Sequence, residues 1–317
     1  MRFLVTGGAG FIGSHLCSRL VSENHEVVCA DNLLTSTDKG IKNLTQHENF
    51  RFVNHDVTNP LPSDIGIFNI IFHLASPASP NHHSKISYHA LPMETMMANT
   101  VGTLNVLKKA EEDKAIFLYS SSSEVYGDPE KHPQEESYNG NVSTTGPRSV
   151  YDEAKRFGET LTAYFSRVKK VDTRIARIFN TYGPGMLKND MRMIITFIVE
   201  ALENKPITIF GDGKQTRALC YVDDMVEGLV KFAFSDKARS EIINLGSAEE
   251  HTVLEYAELV KKLTGSSSQI IMSEDLPQND PLKRRPDLRK AKKILDWEPK
   301  TSLETGIKKM IDYVKSS

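Results

Sequence analysis

Three glycines spaced by three, Gly7, Gly10 and Gly13, follow the apolar run Phe3-Leu4-Val5. They precede apolar residues at helical spacing, Ile12, Leu16 and Leu20. A chain that passes from strand to helix this abruptly needs residues without a Cβ at the bend. They permit the required dihedrals and let backbone N–H groups approach a pyrophosphate. The spacing is GxxGxxG rather than GxGxxG, and alone it is a weak signal. Asp31 strengthens it, ending the next predicted strand 18 residues after Gly13. At that position an acid meets the hydroxyls of an adenosine ribose. Its charge would repel a 2′-phosphate, so the implied ligand is NAD rather than NADP. The competing reading of Asp31 is a turn cap. Asp56 and Val57, after the third strand, are candidate adenine contacts, with a turn role for Asp56 as the alternative.

Short apolar runs at 2–5, 26–30, 50–54, 69–74, 115–119 and 173–178 alternate with helical patterns. Such alternation predicts βαβ units and an α/β fold, a Rossmann-type doubly wound parallel sheet. After Tyr182 glycine and proline turns multiply and the predicted strands, 206–210 and 241–245, become shorter. The division read from this is an NAD-binding domain over 1–182, with later segments free to return to it. A smaller mixed α/β substrate lobe would occupy 183–317. At 317 residues the chain is long enough for a large core. A net charge of -2 gives no basic field for nucleic acid or a membrane surface. No apolar run approaches the roughly 18 residues that a spanning helix needs. The chain enters a strand at once, without a signal peptide's regions. Cys17, Cys29 and Cys220 are too few and scattered for a disulfide framework, so a cytoplasmic location with reduced thiols is expected.

Tyr151 and Lys155 are four residues apart and share a face if helical. A phenol has a pKa near 10. A neighbouring ammonium and a cationic nicotinamide ring would favour the phenolate and make it a base for alcohol oxidation. By itself the pair is also what an amphipathic helix with a surface lysine looks like; the upstream glycine fingerprint favours chemistry. Ser120 to Ser123 and Glu124 follow a predicted central strand, at whose carboxyl end ligands bind. A polar loop capping the next helix is the alternative.

The chain resembles the extended short-chain dehydrogenases/reductases that act on nucleotide sugars, and among them the UDP-glucuronate decarboxylases (UDP-xylose synthases). The likeness runs over nearly the whole length. It includes the stretches beginning His73-Leu74-Ala75-Ser76-Pro77-Ala78-Ser79-Pro80, Ser123-Glu124-Val125-Tyr126-Gly127-Asp128-Pro129 and Gly146-Pro147-Arg148-Ser149. It continues through Arg177-Ile178-Phe179-Asn180, Gln215-Thr216-Arg217, Tyr221-Val222, Asp280-Pro281 and Trp297-Glu298-Pro299. The first two stretches are particular to the decarboxylases.

The resemblance implies a cofactor set of Gly7, Gly10, Phe11, Ile12, Gly13, Asp31, Asn32, Asp56, Val57, Leu74, Ala75, Tyr151 and Lys155, all for NAD. It implies that Tyr151 takes the proton of the sugar 4-hydroxyl, which Ser122 hydrogen-bonds in place of the family's threonine. Glu124, with Arg284 as a second candidate, would assist loss of the carboxylate. Ser123 stands where related 4,6-dehydratases carry an acid, which speaks against dehydration. Ser79, Asn180, Arg192, Arg217, Tyr221 and Arg284 are the implied contacts to the UDP-sugar. A homodimer is implied too, through the helix around Asn99 to Lys109 and the one bearing Tyr151. Leu161, Tyr164 and Phe165 would supply apolar surface unless they face their own sheet.

Three departures stand out. Segment 81–90 is longer than the family pattern and carries His82, His83 and His89. Adjacent histidines without a helical or cysteine partner argue against a metal, so a mobile substrate-covering loop is expected there and no metal. Met93 to Met97 lacks the family's lysines, and Gly185 replaces an arginine. These leave open a 4-epimerase, or a decarboxylase that releases the 4-keto pentose. A non-catalytic NAD-binding sensor is the reading from another class, against which Tyr151, Lys155 and Glu124 argue.

Overall fold

A computed structural model describes residues 1–316. Seven parallel strands form the central sheet: β1 (Arg2–Thr6), β2 (Glu26–Asp31), β3 (Phe50–Asn54), β4 (Ile70–His73), β5 (Ile116–Ser122), β6 (Thr173–Ile178) and β7 (Ile242–Leu245). Their spatial order is β7-β6-β5-β4-β1-β2-β3. The order reverses between β1 and β4, and a doubly wound sheet opens its ligand crevice at the carboxyl ends there. The strand expected at 241–245 is therefore an edge of this sheet rather than part of the smaller lobe. Its partner β6 lies more than 60 residues earlier, a pairing that no local pattern announces.

Alternation along each strand sends side chains to opposite faces. Phe3, Val5, Val27 and Cys29 enter one core with Leu16, Leu20, Met225 and Leu229. Leu4, Val28 and Ile71 enter the other with Val106, Leu107 and Ala110. Helices α1 (Phe11–Ser22) and α6 (Val222–Phe234) thus cover the first face. Helices α3 (Thr103–Asp113) and α4 (Ser149–Tyr164) cover the second. The intervening helices are α2 (Pro92–Met97) and α5 (Met193–Leu202). Past β7 come α7 (Val253–Thr264), α8 (Arg289–Leu295) and α9 (Leu303–Ser316).

The smaller lobe carries short sheets. Thr216–Ala218 pairs antiparallel with Glu250–Thr252 and parallel with Lys283–Arg284, and Ile207–Phe210 pairs parallel with Ile270–Glu274. Among the described residues no helix is long and apolar enough to cross a membrane.

Candidate active site

One cleft of about 1040 Å³ runs from the glycine turn, past α4, to the smaller lobe. At its first end Gly7 has φ +71°, and a Cβ there would lie 2.6 Å from the Ala75 nitrogen. A Cβ on Gly13 would lie 2.2 Å from the Gly7 carbonyl oxygen. Gly10 caps α1 with no side chain on its first N–H groups, so those donors face the cleft beside Phe11 and Ile12. A buried Asp31 accepts from the Ala9 N–H at 3.0 Å and from the Leu33 N–H at 2.8 Å. A carboxylate has lone pairs to spare beyond these. Open helix N–H groups, a Cβ-free turn and an acid at the end of β2 fit a dinucleotide. Asn32, Asp56, Val57, Leu74 and Ala75 line the same end. Asp56 also closes a local turn, accepting from the N–H and hydroxyl of Thr58 at 2.9 and 2.8 Å.

Tyr151 and Lys155 lie on α4, both buried, facing the end of β5. The Lys155 ammonium donates to the Ser120 carbonyl at 2.8 Å and sits 5.7 Å from the Tyr151 ring centroid. Burial pulls Lys155 down to about 7, opposed by Glu159. Burial pushes the Tyr151 phenol up to about 12, opposed by its hydrogen bond with Ser122. The expected lowering of the phenol is thus absent from the chain by itself. The same desolvation that raises the phenol also weakens the ammonium meant to assist it. Ser122 additionally accepts from the Glu124 N–H at 3.2 Å, fixing the turn after β5. Ser123, also buried, lines the cleft beside it.

Glu124 is the centre of a buried charge network. Arg284 donates to both of its oxygens, and Arg148 donates to Oε2 at 2.6 Å. Burial works to raise this carboxyl, but the two guanidinium groups outweigh it and hold the group well below the usual carboxylate range. Asp280 extends the network, accepting from Arg148 at 3.1 Å and from Arg217 at 2.7 Å. Glu124, Arg148, Arg217 and Asp280 all face the cleft.

Two expected contacts lie off the wall of this cleft. Arg284 is buried behind Glu124 and is not part of the cleft wall. Its guanidinium is committed to that carboxylate. Tyr221 is off the wall as well, its ring edge-on to Tyr182 at 5.8 Å and beneath Lys309. The pairing of Cys220–Tyr221 with Thr181–Tyr182 turns it that way. Ser79, Asn180, Arg192 and Arg217 do line the cleft. Ser79 donates its hydroxyl to the Asp190 carbonyl at 2.8 Å, and Arg192 pairs with Asp190 at 3.2 Å.

Segment 81–90 is a strap across the cleft, pinned by side chains. Asn81 donates to the Met191 carbonyl at 2.7 Å and Ser84 to the Asn189 carbonyl at 2.6 Å. His82 and His83 meet Glu274 of the smaller lobe at 3.5 and 3.1 Å, all three exposed. Tyr88 from the strap stacks on Tyr151, with centroids 4.9 Å apart and planes at 15°. The sequence reading gave no role to Tyr88, Arg148 or Asp280. For Arg148 the one available signal was its place three residues before Tyr151, on the same side of the coming helix.

The family model for GDP-mannose 4,6 dehydratase matches residues 4–310. UDP-glucuronic acid decarboxylase 1 of Danio rerio is 47% identical over 312 residues, 98% of this chain and 72% of that protein. The chain belongs to the nucleotide-sugar branch of the extended short-chain dehydrogenases/reductases, with the UDP-glucuronic acid decarboxylases. UDP-glucuronic acid decarboxylase 6 of Arabidopsis thaliana is likewise 47% identical, over 97% of this chain and 87% of that protein. Among solved structures, UDP-glucuronic acid 4-epimerase from Bacillus cereus, in complex with UDP-glucuronic acid and NAD, superposes with a TM-score of 0.87. It is 29% identical and covers 100% of this chain and 99% of that one.

Proposed function

We propose that the chain is an NAD-dependent carboxy-lyase that converts UDP-glucuronate to UDP-xylose through a 4-keto intermediate. The observation that carries the reading is the junction of two features in one cleft. Tyr151 and Lys155 stand beside an ionised Glu124, and Ser123 occupies the place where a dehydratase needs an acid. Tyr151 takes the proton of the sugar 4-hydroxyl, oriented by Ser122. Gly7, Gly10, Gly13 and Asp31 would hold NAD, which when bound would supply hydride acceptance and return at C4. The ketone is β to the carboxylate, so the C5–carboxylate bond breaks with its electron pair delocalised into an enolate, and neutral carbon dioxide leaves. With Glu124 locked as an anion and Ser123 a poor acid, no group at this position protonates a leaving hydroxyl.

Arg217, Arg192 and Asn180 face the nucleotide end, where guanidinium groups suit a diphosphate. Arg284 holds Glu124 in place. Support for a homodimer comes from exposed apolar side chains on and near α2 and α4: Met93, Met97, Phe157, Tyr164 and Val168. Phe165 is buried in its own core and offers no such surface. Three unpaired, buried cysteines suit a cytoplasmic location.

The test is incubation of the purified protein with UDP-glucuronate and NAD, with products read by mass spectrometry and NMR. Loss of the carboxylate with an equatorial C4 hydroxyl supports the reading. Unchanged mass with inverted C4 would replace it with an epimerase, and loss of the carboxylate with a free ketone would remove the final reduction.

A further inference from the structure

The strap over the cleft brings two imidazoles to a carboxylate of the smaller lobe. The sequence reading expects no metal at the adjacent His82 and His83, because no third ligand is near them in the chain. The fold supplies one in Glu274, at the end of the lobe strand Ile270–Glu274 and 191 residues beyond His83. The His83 Nε2 stands 3.1 Å from one Glu274 oxygen and 3.2 Å from the other. The His82 Nε2 stands 3.5 Å from Oε2. The three donor atoms lie within 4.8 Å of one another. Zinc binds imidazole nitrogen and carboxylate oxygen at about 2.0–2.2 Å, so donors at tetrahedral angles stand about 3.3–3.6 Å apart. The cluster is already close to that spacing. Either imidazole can carry its proton on Nδ1 and present Nε2 as a lone pair.

Each ligand is also held from behind. The His83 N–H donates to the Asn81 side-chain oxygen at 2.9 Å, and the Asn81 amide donates to the Met191 carbonyl at 2.7 Å. Ser84, on the far side of the pair, donates to the Asn189 carbonyl at 2.6 Å. The His82 ring lies 4.0 Å from the His83 ring and 5.9 Å from the Phe210 ring, between centroids. Phe210 is the register partner of Glu274, whose carbonyl accepts from the Gly211 N–H at 2.7 Å. Ligands pinned on both sides lose little further freedom when an ion arrives. All three are exposed, which leaves water access to a fourth position.

We infer that His82, His83 and Glu274 bind a zinc-class divalent cation that latches the strap to the smaller lobe. Two imidazoles and one carboxylate suit such an ion better than magnesium or calcium, which take oxygen ligands. The bond spans the mouth of the cleft, because His82 and Phe210 both line its wall. Tyr88, further along the strap, is then fixed against Tyr151. The ion takes no part in the chemistry of the sugar.

The test is calorimetric titration of NAD-loaded, chelator-treated protein with zinc, beside tryptic cleavage after Lys85, an exposed lysine of the strap. Saturable binding of one zinc per chain is expected. With free zinc at about ten times its dissociation constant, cleavage after Lys85 should slow about tenfold. Magnesium should give no such protection. His83→Gln and Glu274→Gln, both at exposed positions on separate elements, should each weaken zinc binding at least about tenfold and remove the protection. Zinc binding that survives either substitution, or that leaves cleavage after Lys85 unchanged, would overturn the latch. Both readouts are independent of turnover, so failure here and failure of the decarboxylase reading are separate outcomes.

Discussion

Gly13→Ala tests whether the glycine turn is a backbone cradle. The added Cβ would lie 2.2 Å from the Gly7 carbonyl oxygen and 2.8 Å from the Gly8 Cα. Ordinary contact begins at 3.4 Å, so the first distance must open by 3.4 − 2.2 = 1.2 Å. Both obstacles are backbone, so no side chain can swing away, and either the turn or the start of α1 must move. Overpacking of this kind costs about 1–3 kcal/mol of stability. The same shift withdraws the α1 N–H groups from a pyrophosphate. A loss of about 1.4–2.8 kcal/mol in binding corresponds to about 10- to 100-fold weaker NAD affinity. Calorimetric titration with NAD and thermal unfolding without it read the two effects separately. Gly265→Ala is the control: φ is +67° at the end of α7 but nothing lies within 4 Å. It should lose only about 1–2 kcal/mol and leave NAD affinity unchanged. If Gly13→Ala binds NAD and unfolds like wild type, the close approach of turn and helix is not what builds the site.

Other perturbations separate the parts of the site. Tyr151→Phe should retain NAD binding and reduce C4 oxidation by about 100- to 10,000-fold, read as NADH formation in a single turnover. Glu124→Gln leaves Arg148 and Arg284 buried without their shared anion, a loss of about 3–5 kcal/mol, read as the denaturant midpoint at constant slope. The raised Asp152 carboxyl binds a proton in the folded state between its unfolded pKa, near 4, and about 8. Folding stability should therefore fall as pH rises through that window. Asp152→Asn should flatten the fall, and an unchanged pH–stability curve would contradict the assignment. Val168→Glu with Phe157→Glu should shift a dimer to monomer in sedimentation; a wild-type profile would exclude that face.

The fold was legible because each strand of the parallel sheet is a local apolar run and the glycine turn is contiguous. That β7 joins the central sheet was not legible, because its partner β6 is distant and its length resembles that of the lobe strands. Tyr151, Lys155 and Glu124 were legible because two short segments hold them. The network around them was not. Arg148, Asp280, Arg217 and Arg284 come from three separate stretches, and which of them faces the cleft depends on the pairing of Lys283–Arg284 with Thr216–Ala218. The motif around Tyr221 gives a residue type but not the side of the strand pair it occupies, so its packing on Tyr182 was not legible. Tyr88 lies in the strap, where the family pattern breaks and spacing carries no information about what stacks on Tyr151.

The central claim is that one bound cofactor oxidises C4, waits through decarboxylation and returns the same hydride. A single turnover of UDP-glucuronate deuterated at C4, with NAD-loaded protein in ordinary water, tests it directly. The account predicts UDP-xylose that keeps the deuterium at C4. UDP-xylose with hydrogen at C4, or a ketone product with the deuterium left on the cofactor, would contradict it.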